Sequence, residues 1–203
     1  MESITTILQR KSKELKRMQQ ESNSSVQKTE PSRWKTIEEF AKAYNPDYLI
    51  TRCKGMTIQD INTLCLFANT PTLSELVAMY GKNAPVIWLT AQLFNLSEFC
   101  GAKEKMDVQT AERTASLIYA HYYYLKASEL LLFFYKFTTG KYGRFYGTTD
   151  PLIILNALST FVTQERNPAI EHHETQERLK EKEQERKFAI TYDEYLKLKQ
   201  NNK

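Results

Sequence analysis

The sequence predicts an all-α protein: a single compact helical domain, with a mobile basic helix at its N-terminus and a charged helical tail at its C-terminus. Three observations carry that expectation. Apolar residues recur at three- and four-residue spacing through most of the 203 residues. Start signals of the Thr-x-x-Glu and Asp-Pro kind open segment after segment, and glycines close several of them. No clear alternation of apolar and polar residues runs for five positions, and no Asn-Gly or Asp-Gly hairpin turn occurs. At 41% hydrophobic and 26% charged, with six glycines and six prolines, the composition excludes collagen-like, disulfide-stapled and wholly disordered classes.

The elements follow in order. Residues 2–21 read as a helix, with Ile4, Ile7, Leu8, Leu15 and Met18 at helical spacing and Arg10, Lys13 and Arg17 on other faces. The polar, Ser-rich stretch up to Ser32 reads as a linker. Thr36 with Glu39 three residues on is a capping box, and the helix it opens stops before Asn45-Pro46, because a residue preceding proline avoids the helical region. Tyr48-Leu-Ile-Thr51 is the one stretch conceded as a strand. Thr57 opens a helix through Phe67, and Thr72 with Glu75 opens one that Gly81 closes. Pro85 sits in the first turn of a helix ending at Gly101, and Asp107 caps a long one through Tyr122. A further helix runs from about Leu125 to Phe137 and closes at Gly140; Asp150-Pro151 starts the next. The stretch Glu171–Lys187 holds one large apolar residue, Leu179, so a solvated, fraying helix is expected. Thr191 with Glu194 caps a last short helix. The resulting division is a basic amphipathic helix over 1–22, a linker over 23–33, a helical core over 34–166 and a charged tail over 167–203.

The net charge of +4 is unevenly placed. Residues 1–33 hold seven Lys/Arg against four Asp/Glu, residues 34–165 twelve of each, and residues 166–203 nine against eight. The three cysteines, Cys53, Cys65 and Cys100, form no C-x-x-C pair and read as buried thiols of a reducing compartment. The N-terminus lacks the apolar core of a secretory signal, and the longest apolar run, Leu130–Tyr135, is far shorter than the roughly 20 residues a bilayer demands. A cytoplasmic, membrane-free protein is expected.

Catalytic patterns are sparse. His121 stands alone, and His172 and His173 are helical neighbours pointing about 100° apart, so neither a metal site nor a cofactor is expected. An enzyme reading requires a pocket joining His121 to Glu129 or Glu112, which nothing in the sequence demands. Gly140–Gly147 lacks the closing Gly-Lys-Ser/Thr of a phosphate loop, and the Gly140-x-x-Gly143 spacing lacks the flanking strands of a KH domain.

The segment Leu130–Thr149 stands out, because it contains no acid and three cations, Lys136, Lys141 and Arg144. Tyr135, Phe137, Tyr142, Phe145 and Tyr146 interleave with them. Cations that neutralise phosphates beside rings on which bases stack are the elements of a single-strand binding surface. Lys136, Lys141, Tyr142, Arg144 and Tyr146 are therefore expected to contact nucleic acid or a partner. A second reading stands beside this one: Tyr119, Tyr122, Phe133, Phe134, Phe137 and Phe145 are mostly core, and the glycines only turn the chain. The N-terminal helix adds Arg10, Lys13 and Arg17 as further contacts, to DNA or to an acidic groove of a partner.

Three stretches carry a resemblance: Trp88–Thr110 (WLTAQLFNLSEFCGAKEKMDVQT), Tyr122–Leu158, and TYDEYLKLK near the end. In them the chain resembles a family of uncharacterised proteins from Bacteroidetes-type mobile elements and prophages. More remotely, a helical module with an aromatic, Gly-rich turn before an Asp-Pro-capped helix is similar to phage replication accessory proteins of the helicase-loader kind. The resemblance implies a non-enzymatic accessory protein of mobile-element or phage DNA replication or maintenance, contacting single-stranded DNA or a replicative helicase. The alternative is a protein-interaction or structural module, an inhibitor or assembly factor, that binds a host protein and no nucleic acid.

Overall fold

The computed structural model describes residues 34–188 except Ala102 and Tyr146. The expected basic helix over 1–22, the linker over 23–33 and the helix opened by Thr191 lie outside the described residues. The chain divides into Met1–Lys35 and Thr36–Lys203, and the architecture below is that of the second unit. Its regular structure is helical: α1 (Ile37–Ala43), α2 (Tyr48–Arg52), α3 (Ile58–Phe67), α4 (Leu73–Tyr80), α5 (Ala84–Phe99), α6 (Val108–Tyr122), α7 (Ala127–Thr138), α8 (Pro151–Thr160), a π-helical segment Phe161–Arg166, and α9 (Asn167–Phe188). The fold is all-α.

Local chemistry sets these boundaries. Thr36 Oγ1 accepts the Glu39 amide, and full capping boxes form at Thr57 with Asp60 and at Thr72 with Glu75. Each satisfies amide groups that the first helical turn leaves without a partner. Asp107 and Asp150 accept the amides of Thr110 and Leu152 at 2.8 Å. Gly81 and Gly140 follow α4 and α7 at φ +97° and +81°, a conformation that side chains with a Cβ rarely adopt.

The strand conceded at Tyr48–Thr51 is instead a helical turn and a half. Asn45 Oδ1 accepts the Asp47 amide at 2.9 Å, so the Asn-Pro-Asp turn directs the chain into α2 with Leu49 inward. Four residues rich in aromatic and β-branched side chains imitate a strand, and the turn chemistry before them decides.

Helix α7 is the centre of the body. Leu130 to Phe134 and Phe137 are all buried, and α2, α3 and α5 pack around them. Helices α5 and α6 form the most extensive pair, and Leu89, Leu93 and Leu96 of the one and Ala111, Ala115 and Ile118 of the other are all but closed to solvent. Backbone ties close both ends of this assembly. At one end the Leu73 amide donates to Leu125 and the Ala127 amide to Pro71. At the other the Glu104 amide donates to Gly147 and the Thr149 amide returns to Glu104. Trp88 Nε1 and Gln92 Nε2 both donate to the Tyr44 carbonyl at 3.0 Å, fixing the end of α1 on α5.

The division expected at residue 166 falls inside a continuous helical run from Pro151 to Phe188. Pro168 explains why that run contains a π segment. Proline donates no amide hydrogen and its ring collides with the carbonyl four residues back, here Gln164. Widening the preceding turn relieves the collision, and the Asn167 amide reaches back to Val162 rather than to Thr163. Beyond it, α9 is not merely solvated: the His173 ring stacks on Phe67 of α3, centroids 4.0 Å apart.

Candidate functional site

The π segment has a second consequence. It directs two consecutive residues, Glu165 and Arg166, onto two residues of α7 seven positions apart. Lys136 Nζ lies 2.7 Å from Glu165 Oε2, and Arg166 Nε lies 2.9 Å from Glu129 Oε1. Both pairs are largely withdrawn from water. The Lys136 side chain is 6% exposed and that of Glu129 0%, against 18% for Glu165 and 17% for Arg166. Burial of an ion is costly unless a partner and hydrogen bonds compensate it, and here both are present. The other Glu129 oxygen accepts the Lys126 amide at 2.9 Å, and the Arg166 guanidinium lies over the Tyr124 ring. Lys126 Nζ in turn donates to the Ala68 carbonyl at 3.2 Å, beyond the end of α3.

Glu165 is the hub. Besides Lys136 it receives Lys141 Nζ at 2.6 Å and the Tyr142 hydroxyl at 2.7 Å. Burial opposes its ionisation, but the hydrogen bonds from Lys136, Lys141 and Tyr142 and the Lys136 charge outweigh it and hold the carboxyl below the usual carboxylate range. Burial, the bond to Glu165 and its negative charge together push the Tyr142 phenol up, so it remains a neutral donor.

The segment free of acids in sequence is therefore not free of them in space. Lys136, expected as a surface contact, is buried and paired with Glu165. Its place is in the scaffold, because the acid that neutralises it arrives from 29 residues along the chain. Tyr142 is corrected likewise: its hydroxyl is engaged and its half-buried ring packs 5.6 Å from that of Phe133. Lys141 shares Glu165 but stays 48% exposed. Arg144 is exposed and, among the described residues, has no ion pair. Phe145 is half-buried and stacks on Phe137, centroids 5.3 Å apart at 23°. Tyr146, Arg10, Lys13 and Arg17 lie outside the described residues. The core reading of the rings holds for Phe133, Phe134 and Phe137; Tyr119, Tyr122 and Phe145 are half-buried.

Above the hub, α3 and α9 frame a groove of about 570 Å³ with Lys136, Glu165 and Phe161 at its base. Gln59, Asn62 and Thr63 line one wall, and His172, His173 and Gln176 the other. The Asn62 Oδ1 atom is buried and has no hydrogen-bond partner. Sequence reading missed this groove and its hub. One local signal pointed there: Pro168 inside a helical pattern, directly after Glu165-Arg166 on a helix whose preceding face is apolar.

Among the described residues no group of three or more His, Cys, Asp or Glu side chains is placed to hold a metal ion, and no helix is long and apolar enough to cross a membrane. Cys53 and Cys65 are buried free thiols and Cys100 is half-buried.

These features define a class: an all-α body whose central helix is locked to a π-bulged helix by two buried ion pairs, beneath a polar groove. Residues 105–203, which carry α6 to α9, match the model of a family of unknown function (DUF6633), and that part of the chain is similar to it. No curated protein and no solved structure matches the chain.

Proposed function

We propose that this chain is a non-enzymatic accessory protein of mobile-element or phage DNA replication or maintenance, contacting single-stranded DNA. The observation that carries the reading is the placement of Arg144 and Lys141. Both cations are exposed to a useful degree beside the stacked Phe137–Phe145 rings, while the buried charges nearby neutralise one another. A phosphate meeting this edge finds Arg144 without a competing acid among the described residues, and a base finds a half-buried aromatic surface. The replication setting is what the remote similarity to phage replication accessory proteins implies. Fluorescence anisotropy with a labelled single-stranded oligonucleotide at low salt tests the reading. Wild type binds, and Lys141→Glu/Arg144→Glu loses most of that binding; a double variant that binds as tightly as wild type removes the support.

One observation favours a second reading, a protein-interaction module whose partner is a replicative helicase or another host protein. Glu165 engages Lys136, Lys141 and the Tyr142 hydroxyl, so most of the basic segment serves the body's own architecture. Absence of strand binding, together with capture of one defined protein partner that Arg144→Glu abolishes, selects this reading instead.

A further inference from the structure

We infer that the groove between α3 and α9 is a nucleobase pocket that takes a base of the adenine type. This rests on the single-strand reading above for the source of the base, but its own support is separate. The groove, at about 570 Å³, falls within the range of small-ligand sites and has room for one nucleotide. Its walls present amide side chains from both helices, Gln59 and Asn62 on α3 and Gln176 on α9. A carboxamide matches adenine in particular: its oxygen accepts from the exocyclic amine while its nitrogen donates to the adjacent ring nitrogen. The Asn62 oxygen has no partner inside the protein, so its acceptor capacity is unused where the side chain lines the groove. Rotation of that amide toward a bound base lets it accept the amine hydrogen. The Phe67–His173 stack supplies a flat wall, and Phe67 remains partly exposed. Lys180 lines the groove paired with Glu177 at 2.9 Å, and Lys141 is paired with Glu165 at its base, so a phosphate entering the groove competes with those carboxylates for the two ammonium groups.

Adenine reaches such a pocket either as a free nucleotide or within a single strand, and the experiment separates the two. Labelled oligo(dA) and oligo(dT) of equal length are titrated with the full chain by anisotropy, and AMP is added as competitor. The expected result is a preference for oligo(dA) of about fivefold or more, lost in Asn62→Leu and reduced in Gln176→Ala. Because Gln176 is exposed on α9, its variant keeps the test valid if Asn62→Leu is poorly folded. Displacement of oligo(dA) by millimolar AMP identifies the free nucleotide as sufficient; persistence of the preference without displacement identifies the base within a strand. Equal binding of the two oligonucleotides, unchanged in both variants, overturns the pocket while leaving strand binding intact. Failure of every oligonucleotide and of AMP to bind overturns both.

Discussion

Replacing Glu165 by Gln removes one charge and almost no volume, so the consequence falls on Lys136. In the wild type that ammonium lies 2.7 Å from the carboxylate with its side chain 6% exposed. The variant leaves it buried with no formal countercharge at Glu165, since the only other acid of the network, Glu129, is engaged with Arg166. Breaking one partner of a buried pair costs about 3–5 kcal/mol. The lower end applies, because Glu165 is itself 18% exposed and a glutamine still accepts the Tyr142 hydroxyl. A loss of about 3 kcal/mol lowers the melting temperature of a body this size by about 6–12 °C. The assay is thermal unfolding by circular dichroism at 222 nm, as a double-mutant cycle with Lys136→Met. Lys136→Met/Glu165→Gln recovers most of the loss, because an apolar side chain replaces the stranded ion. A cost below about 1 kcal/mol for Glu165→Gln, or a double variant no more stable than the single one, contradicts a stranded Lys136 ion as the cause.

The same network fixes an acid limb. Because the folded-state pKa of Glu165 lies below its ordinary 4.5, its contribution is fully present above that value and is lost as pH falls through the lowered one. Melting temperature therefore declines below about pH 4.5, and the slope shrinks in Glu165→Gln; identical acid limbs contradict this. Thiol chemistry is graded by burial: Cys65, pushed up to about 12 by burial and by nearby Cys53, is 2% exposed, and Cys53 is also buried. A thiol reagent on the native protein at pH 8 labels Cys100 first and the other two only on unfolding, as mass spectrometry of the labelled chain reads. Asp150→Ala removes the acceptor for the Leu152 amide at the start of α8 and costs about 1 kcal/mol in the same unfolding assay; an unchanged melting temperature refutes that cap.

Most helix boundaries were legible in the sequence because they are local. Thr57, Thr72, Asp107 and Asp150 each act within three residues, and a short sequence window contains the whole interaction. The exceptions share one cause. At Tyr48–Arg52 the preceding Asn-Pro-Asp turn outweighed the strand preference of a short aromatic and β-branched stretch. At Lys136 the deciding neighbour, Glu165, stands 29 residues away, and no linear count of acids and bases over Leu130–Thr149 includes it. Pro168 ordinarily marks a helix end, yet the run continues because a widened turn absorbs the ring and the ion pairs hold it in place. The groove depends on that bulge and on the meeting of α3 with α9, more than a hundred residues apart in the chain. It was invisible for the same reason.

The proposed role of exposed Lys141 and Arg144 is to meet phosphates of a single strand. The direct measurement is the salt dependence of oligonucleotide binding by anisotropy, for wild type and Lys141→Ala/Arg144→Ala. Loss of two phosphate contacts reduces the slope of log K against log salt by about 1.4, with weaker binding at every salt concentration. An unchanged slope, or a wild type that binds no strand at low salt, contradicts it.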